Sequence, residues 1–445
     1  MKKRKLSDVH GLHDSRLYDM ILVELEGILA SNQWKNVHKG LEKASPLVAH
    51  MWPKVSDDLE LSMIEVLSET CWEKLHSGSW ADVPVVWRDA FAGMKLLSFW
   101  LRAYASRDLE HDAILGKDTN IASLMKHVSI KELDMGLIMG GDEFREMIHA
   151  TIDRMVPEAR ETRDRLLNSN NRCSKNVSLL LTHDSHKAST FQSGIPNSTS
   201  ASCHHIRKAI PSVECPSEEV FVTQYFSPQC PVILLKMVDN WPAMRLWNIR
   251  EYWQAIAGRR TVPIEIGKDY MSTEWTQKLT DFSTFLDCLA SLDEKEEDHA
   301  SRMYLAQHPL LEQMDLLRQD ILIPEYCHLT GEISSINAWI GPAGTVTPAH
   351  TDPHHNLFVQ IVGYKYIRLY HPSCSSSLYP DQEGLASNTS TVDIDNVDED
   401  AFPLFSQLEF YDCVLGPGES LFIPKGWWHY VKSLTISASI SIWWD

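Results

Sequence analysis

Two hydrophobic periodicities divide the chain. Between residues 15 and 165 apolar side chains return every three or four positions: Leu17, Ile21, Leu25 and Ile28 fall on one face, and Leu96, Leu97, Trp100, Leu101 and Tyr104 on another. That spacing predicts a bundle of helices. Trp34, Trp52, Trp72, Trp80, Trp87 and Trp100 are expected to fill its core, because large aromatics at helical spacing usually pack inward. No strict repeat period is visible, although stacked helix pairs of a scaffold type are compatible with the pattern.

After residue 206 the pattern changes to short β-like runs broken by Gly and Pro. They are PVILLKMV (231–238), TVPIEIG (261–267), SINAWIG (335–341), LFVQIVGYKYIRLY (357–370), ESLFIP (419–424), HYVKSL (429–434) and ISASISIWW (436–444). Many strands and few long helices predict an antiparallel sandwich or barrel, with helical pieces such as DFSTFLDCLASL (281–292) packed outside it. The expected fold class is α+β, an all-α region over 1–165 followed by a β domain over 206–445. The intervening stretch, 166–205, is rich in Ser, Asn and Thr and reads as a linker. Its His183, His186, His204 and His205, beside Cys173 and Cys203, lack the regular spacing of a zinc site and are expected to be solvated.

Charge narrows the choice of partner. The 445 residues carry a formal net charge of -19, so no concentration of Lys and Arg is available to hold phosphates. A direct grip on nucleic acid is not expected, and a basic partner suits the chain better. No apolar run is long enough to span a bilayer, and the opening MKKRKLSDVH lacks the apolar core of a secretory signal. A chain kept in the reducing interior is therefore expected, with its nine scattered cysteines as free thiols and the sequon Asn388-Thr-Ser as a plain polar triplet. Lys2, Lys3, Arg4 and Lys5 have the composition of a nuclear import signal, so a location in the nucleus, with the cytoplasm as a second compartment, is expected.

The stretch TPAHTDPHHN (347–356) raises the question of chemistry. On a strand, residues two apart share a face, so His350 and Asp352 would present an imidazole and a carboxylate together. Two ligands hold a metal weakly, and the best third is His429 in FIPKGWWHYV, where a Pro-Lys-Gly turn launches another strand. Two imidazoles and one carboxylate leave the opposite face of an octahedral ion open, the arrangement of non-haem Fe(II) oxygenases. A closed zinc site would want a fourth ligand, typically a thiolate, and no cysteine adjoins either half of the set. His354 and His355 are expected at the rim or surface rather than on the metal. Along the last strand Ser437, Ser439, Ser441 and Trp443 alternate with larger apolar residues, so the small polar face is expected inside the barrel.

The strings NWPAMRLW, YLAQHPL, INAWIGPAGTVTPAHTDPHHN, YKYIRLYHP and FIPKGWWHYV follow one another in the order seen in the JmjC (jumonji) family of oxygenases, which this chain closely resembles from about 206 to its last residue. The resemblance implies a JmjC double-stranded β-helix barrel of the cupin or jelly-roll type. It implies Fe(II), 2-oxoglutarate as cosubstrate and O2, with His350, Asp352 and His429 as iron ligands and Lys365 on the remote carboxylate of 2-oxoglutarate. Tyr304, Thr347 and Asn356 would be hydrogen-bonding partners of that molecule and Trp443 an aromatic of its pocket. Glu265, Trp275, Gln307 and Trp339 would face the substrate, and an acid beside an aromatic suits arginine or methyl-lysine. The implied partner is a basic protein, either a histone H3 tail undergoing lysine demethylation or an arginine-containing protein undergoing hydroxylation. Members of the family are also associated with transcriptional and circadian regulation. The rival expectation is a catalytically silent barrel that recruits chromatin partners.

Overall fold

The structure, a computed structural model, describes residues 15–53, 60–78, 82–110, 129–168, 180, 207–292, 302–381 and 386–445. The basic cluster at 2–5 and nearly all of the polar stretch with its His and Cys residues lie outside the described residues. The chain divides into two compact units, residues 1–160 with 259–261, and residues 161–258 with 262–445.

The first unit is helical. Its helices are α1 (Ser15–Ala30), α2 (Asn32–Ala44), α3 (Pro46–Met51), α4 (Leu61–Leu75), α5 (Val85–Glu110), α6 (Lys131–Met139) and α7 (Arg145–Met155), and α8 (Pro157–Asn168) carries the chain into the second unit. Helical order thus runs to Asn168, past the expected start of the linker at 166. Ser31 starts α2 by accepting the Trp34 amide N–H at 3.1 Å, which satisfies a donor that has no partner within the helix. Leu25, Ile28, Trp34, Leu41, Trp52, Ile64, Leu67 and Phe91 make the core, where Trp34 stacks on Trp52 at 4.3 Å between ring centroids. Trp87 and Trp100 are buried as the spacing predicts. Trp72 is not: it is 37% exposed and lies against His76 one turn on, at 4.1 Å. Trp80 is outside the described residues.

The second unit contains fourteen strands among its described residues: β1 (Arg207–Ala209), β2 (Ser212–Glu214), β3 (Val232–Leu235), β4 (Thr261–Ile266), β5 (Thr276–Asp281), β6 (Met303–His308), β7 (Ile333–Gly341), β8 (Val346–Thr351), β9 (His355–Val362), β10 (Lys365–Tyr370), β11 (Phe410–Leu415), β12 (Ser420–Ile423), β13 (Trp428–Ser433) and β14 (Ser437–Trp444). A five-stranded sheet runs β1-β11-β10-β13-β8, and a nine-stranded sheet runs β2-β3-β12-β9-β14-β7-β6-β4-β5. Tyr304, Trp339 and Phe358 of the larger sheet and Ile367, Leu369, Leu415 and Val431 of the smaller join in one buried cluster, so the core and the site both lie between the sheets. This is the β-sandwich arrangement expected from the strand pattern, and the protein is α+β.

The long run 357–370 is two strands rather than one. Gly363 turns the chain at φ +74°, and a Cβ there would meet Ile436 O at 2.0 Å, so only glycine fits the turn that carries the chain from β9 in the larger sheet to β10 in the smaller. β14 lies centrally in the larger sheet, with Ser437, Ser439 and Ser441 almost fully buried. Ser439 donates to Gln360 Oε1 at 2.8 Å and Ser441 accepts the Trp339 indole N–H at 3.0 Å, so each hydroxyl has a partner within the sandwich.

Candidate metal centre and adjoining cavity

β8 and β13 are neighbours in the smaller sheet, and their register sets His350 opposite His429. The imidazole centroids are 4.1 Å apart. Asp352 is not on the strand: β8 ends at Thr351, and the turn before β9 swings the carboxylate back toward both rings. Its oxygens lie 3.6 Å from His350 Nε2 and 3.4 Å from His429 Nε2, and the three donor atoms fall within 4.8 Å of one another. The sequence correctly paired the residues, although strand alternation is not what brings Asp352 in.

Each ring is fixed from behind. His350 Nδ1 lies 2.9 Å from Pro348 O and His429 Nδ1 3.1 Å from Trp427 O. A carbonyl can only accept, so Nδ1 carries the proton and Nε2 presents its lone pair to the cluster. Burial, with His429 alongside, lowers the pKa of His350 to about 4, which keeps that ring neutral. Two nitrogen lone pairs turned on a carboxylate repel unless a cation lies among them, so the donor set fits a metal ion. Asn356 Nδ2 donates to Asp352 Oδ2 at 3.2 Å, while its own buried Oδ1 has no partner.

A cavity of about 300 Å³, counting space open to solvent, runs from these ligands to Lys365. It is lined by Tyr304, Trp339, Thr347, Asn356, Phe358 and Val431 as well. Lys365 is fully buried on β10, its ammonium 5.3 Å from the Phe358 ring centroid and 5.6 Å from that of Tyr304. Among the described residues the ammonium makes one hydrogen bond, to Tyr304 OH at 3.3 Å. Burial lowers its pKa from 10.5 to about 7. A buried amine at the end of this cavity, with no ion-pair partner among the described residues, fits an anionic ligand. Phe358 and Val431 were not singled out from the sequence, yet the strand period of two points to them, since they follow Asn356 and His429 by two positions on β9 and β13.

The remaining expected residues divide. Glu265 on β4 is the register partner of Tyr304 on β6, and burial raises its carboxyl pKa above the ordinary value. The Trp275 indole lies near enough to favour the charged carboxylate, yet its buried N–H makes no hydrogen bond of normal geometry. Gln307 departs from expectation: it is exposed at φ +45°, where the β6–β7 register breaks between Leu305 and His308, and it does not line the cavity. Trp443 also lies outside the cavity lining, with its ring 5.8 Å from that of His354. His354 stays near the surface, 3.0 Å from Asp445 Oδ1. His355 is not at the rim but in the core, 4.8 Å from the Phe226 ring and accepting the Lys425 amide N–H at 3.2 Å. All seven described cysteines are free, and among the described residues no helix is long and apolar enough to cross a membrane.

Residues 217–445 match the model of the cupin-like domain, and residues 49–169 match that of KDM8-like N-terminal ARM repeats. Lysine-specific demethylase JMJ30 of Arabidopsis thaliana is 40% identical over 393 residues, covering 86% of each chain. Lysine-specific demethylase 8 of Xenopus tropicalis is 34% identical, covering 86% of this chain and 88% of its own. Jumonji C domain-containing protein 5 of Drosophila melanogaster is 42% identical over 242 residues, 53% of this chain and 60% of its own. With both units matched in order, this chain belongs to the JmjC family, in the branch that joins KDM8-like ARM repeats to a cupin-like domain.

Proposed function

We propose that the protein is an Fe(II)- and 2-oxoglutarate-dependent oxygenase acting on a basic side chain of a protein substrate. The observation that carries this reading is one cavity with a two-histidine, one-carboxylate cluster at one end and a buried, unanswered lysine at the other. Iron and 2-oxoglutarate, when bound, couple the oxidation of 2-oxoglutarate by O2 to succinate and CO2 with insertion of the second oxygen atom into a substrate C–H bond. His350, Asp352 and His429 would hold the metal, with the Asn356 amide fixing the carboxylate. Lys365 would be protonated as it receives the remote carboxylate of the cosubstrate, and Tyr304 and Thr347 would supply hydroxyls beside it. Phe358, Val431 and Trp339 would exclude water around that pair and strengthen it.

For the substrate, the single acid Glu265 beside the Trp275 indole supports recognition of a guanidinium or a methylated ammonium. The relatives named as lysine-specific demethylases support an N-methyl-lysine, and a carboxylate beside one indole rather than a cage of several rings supports arginine. Hydroxylation of an N-methyl group ends in loss of formaldehyde, whereas a ring or chain carbon keeps the new hydroxyl. A nuclear location is part of the proposal and follows from the basic cluster at 2–5. The intact ligand set and Lys365 count against a silent scaffold.

The test is purified protein with Fe(II), 2-oxoglutarate, ascorbate and basic peptides. Succinate should form in step with peptide product, and mass spectrometry should show either a gain of one oxygen or loss of methyl. No turnover with any arginine- or methyl-lysine-containing peptide would reject the reading in favour of the scaffold.

A further inference from the structure

β8, which carries His350, is the last strand of its sheet and has β13 on one side only. Its other edge is covered by a short piece of the long β10–β11 connection. Thr351 N–H donates to Asn388 O at 2.9 Å, Ser390 N–H donates to Ala349 O at 2.7 Å, and Thr389 bridges to His350 itself. The Asn388 side chain adds a bond from Nδ2 to Thr351 O at 2.9 Å. Edge strands lose their outer hydrogen bonds first, so these residues brace the strand end that positions a metal ligand.

The same piece touches the segment proposed to meet substrate. Thr389 is 2% exposed, and its hydroxyl lies 3.0 Å from Tyr270 OH, in the connection between Glu265 on β4 and Trp275 before β5. Burial raises the Tyr270 phenol pKa to about 12, so it stays neutral, and the carboxylates of Asp269, Glu265 and Asp352 all act on it. Tyr270 thus lies within electrostatic reach of both the acid of the proposed substrate wall and the acid of the metal cluster. Two residues before Tyr270 and four after Thr389, Lys268 and Asp393 make an ion pair at 2.6 Å, half exposed and so weak. The Tyr270–Thr389 bond is the shielded link of the two.

We propose that residues 388–390 form a strap that couples the 267–275 segment to the His350 strand, with the Tyr270–Thr389 hydrogen bond as its joint. Both are positioning residues: neither lines the cavity, and each acts through what it holds. A substrate that orders the 267–275 segment would thereby brace β8, so the reactive end is held most firmly when a target is present. The placement of substrate rests on the function proposed above, whereas the mechanical coupling does not.

Tyr270→Phe and Thr389→Val each remove the joint at nearly constant volume and leave the strap's main-chain bonds in place. Amide exchange in the ligand-free protein should accelerate about fivefold in either variant, both within 267–275 and at Thr351, while β10 and β14 stay unchanged. The double variant should be no faster than either single one. Acceleration confined to 267–275, or additive effects of the two changes, would overturn the coupling. With a peptide that the wild type oxidises, both variants should release about three times more succinate per oxidised peptide than the wild type. If no basic peptide is oxidised by the wild type, the proposed function fails, and the exchange result still decides the strap.

Discussion

At one end of the cavity the Asp352 carboxylate lies 3.4 Å and 3.6 Å from two imidazole nitrogens; at the other, the Lys365 amine has, among the described residues, one hydroxyl partner at 3.3 Å and no ion-pair partner. The first end is assembled from a strand pair and a turn, with each ligand held by a second bond from behind: His350 and His429 by carbonyls, Asp352 by Asn356. The second end is a lone cation set among Phe358, Tyr304 and Thr347. The difference shows in their energetics. The metal end needs a cation to relieve repulsion among its donors, and the lysine end needs an anion to offset desolvation. Moving the Lys365 pKa from 10.5 to about 7 corresponds to roughly 5 kcal/mol against the charged form. A molecule with an anionic group at each end of a short chain satisfies both demands at once.

The largest expected effect is at the metal end. Asp352→Ala should abolish Fe(II) binding and reduce peptide-dependent succinate formation below about 1% of wild type, because two imidazoles alone hold iron weakly. Metal retention with normal affinity would show that the three side chains do not act as one site. Lys365→Ala should instead raise the 2-oxoglutarate requirement about a hundredfold while changing metal affinity by less than about threefold. Equal losses of both would erase the distinction between the two ends. The ends should also differ in stability. Lys365→Met should raise the melting temperature of the ligand-free protein even as it destroys cosubstrate binding, since it removes an unpaired buried amine.

pH separates them further. The folded-state pKa of Lys365 is lowered, so between about pH 7 and 10.5 the unfolded chain binds more protons than the folded one, and stability contributed at this position rises with pH over that window. The gain from Lys365→Met should therefore be greater at pH 6 than at pH 9. Binding an anion beside the amine restores its proton, so 2-oxoglutarate affinity should fall by up to about tenfold per pH unit above pH 7. Calorimetry in buffers of different ionisation heat should register close to one proton taken up per cosubstrate at pH 8, and no uptake would mean that Lys365 is already charged. The smallest effect is expected for Asn356→Ala, which loses the bond to Asp352 and should weaken metal binding about tenfold, as read by metal titration.

Much of this was legible beforehand because it rests on residue type and a period of two. His350, Asp352 and His429 were found from ligand chemistry, and the runs over β3, β4, β7, β9, β10, β12, β13 and β14 announced themselves by hydrophobic alternation. β1, β2, β5, β6 and β11 gave no such run, and β8 was taken as a strand only around its candidate metal ligands. β5 (TQKLTD) is polar and at a sheet edge, and β8 (VTPAHT) carries a proline and the metal site instead of an apolar stripe, so their pairing partners rather than their composition make them strands. The burial of Lys365 was legible only through resemblance, since composition makes a strand lysine a surface residue. Gln307 was named only through the resemblance, and its exposure at a break in the β6–β7 register, outside the cavity lining, leaves no mark in the hydrophobic pattern. Tyr270 and Thr389 left no signal at all, being loop residues joined across 119 positions of chain.

The two-ended cavity is tested most directly by measuring 2-oxoglutarate binding, without oxygen, in the presence and absence of Fe(II), in wild type and in Asp352→Ala. A molecule that spans from the metal to Lys365 should bind at least about tenfold more tightly when iron is present, and this gain should vanish in the variant. Equal affinity with and without iron in the wild type would mean that the two ends hold nothing in common and would contradict the account.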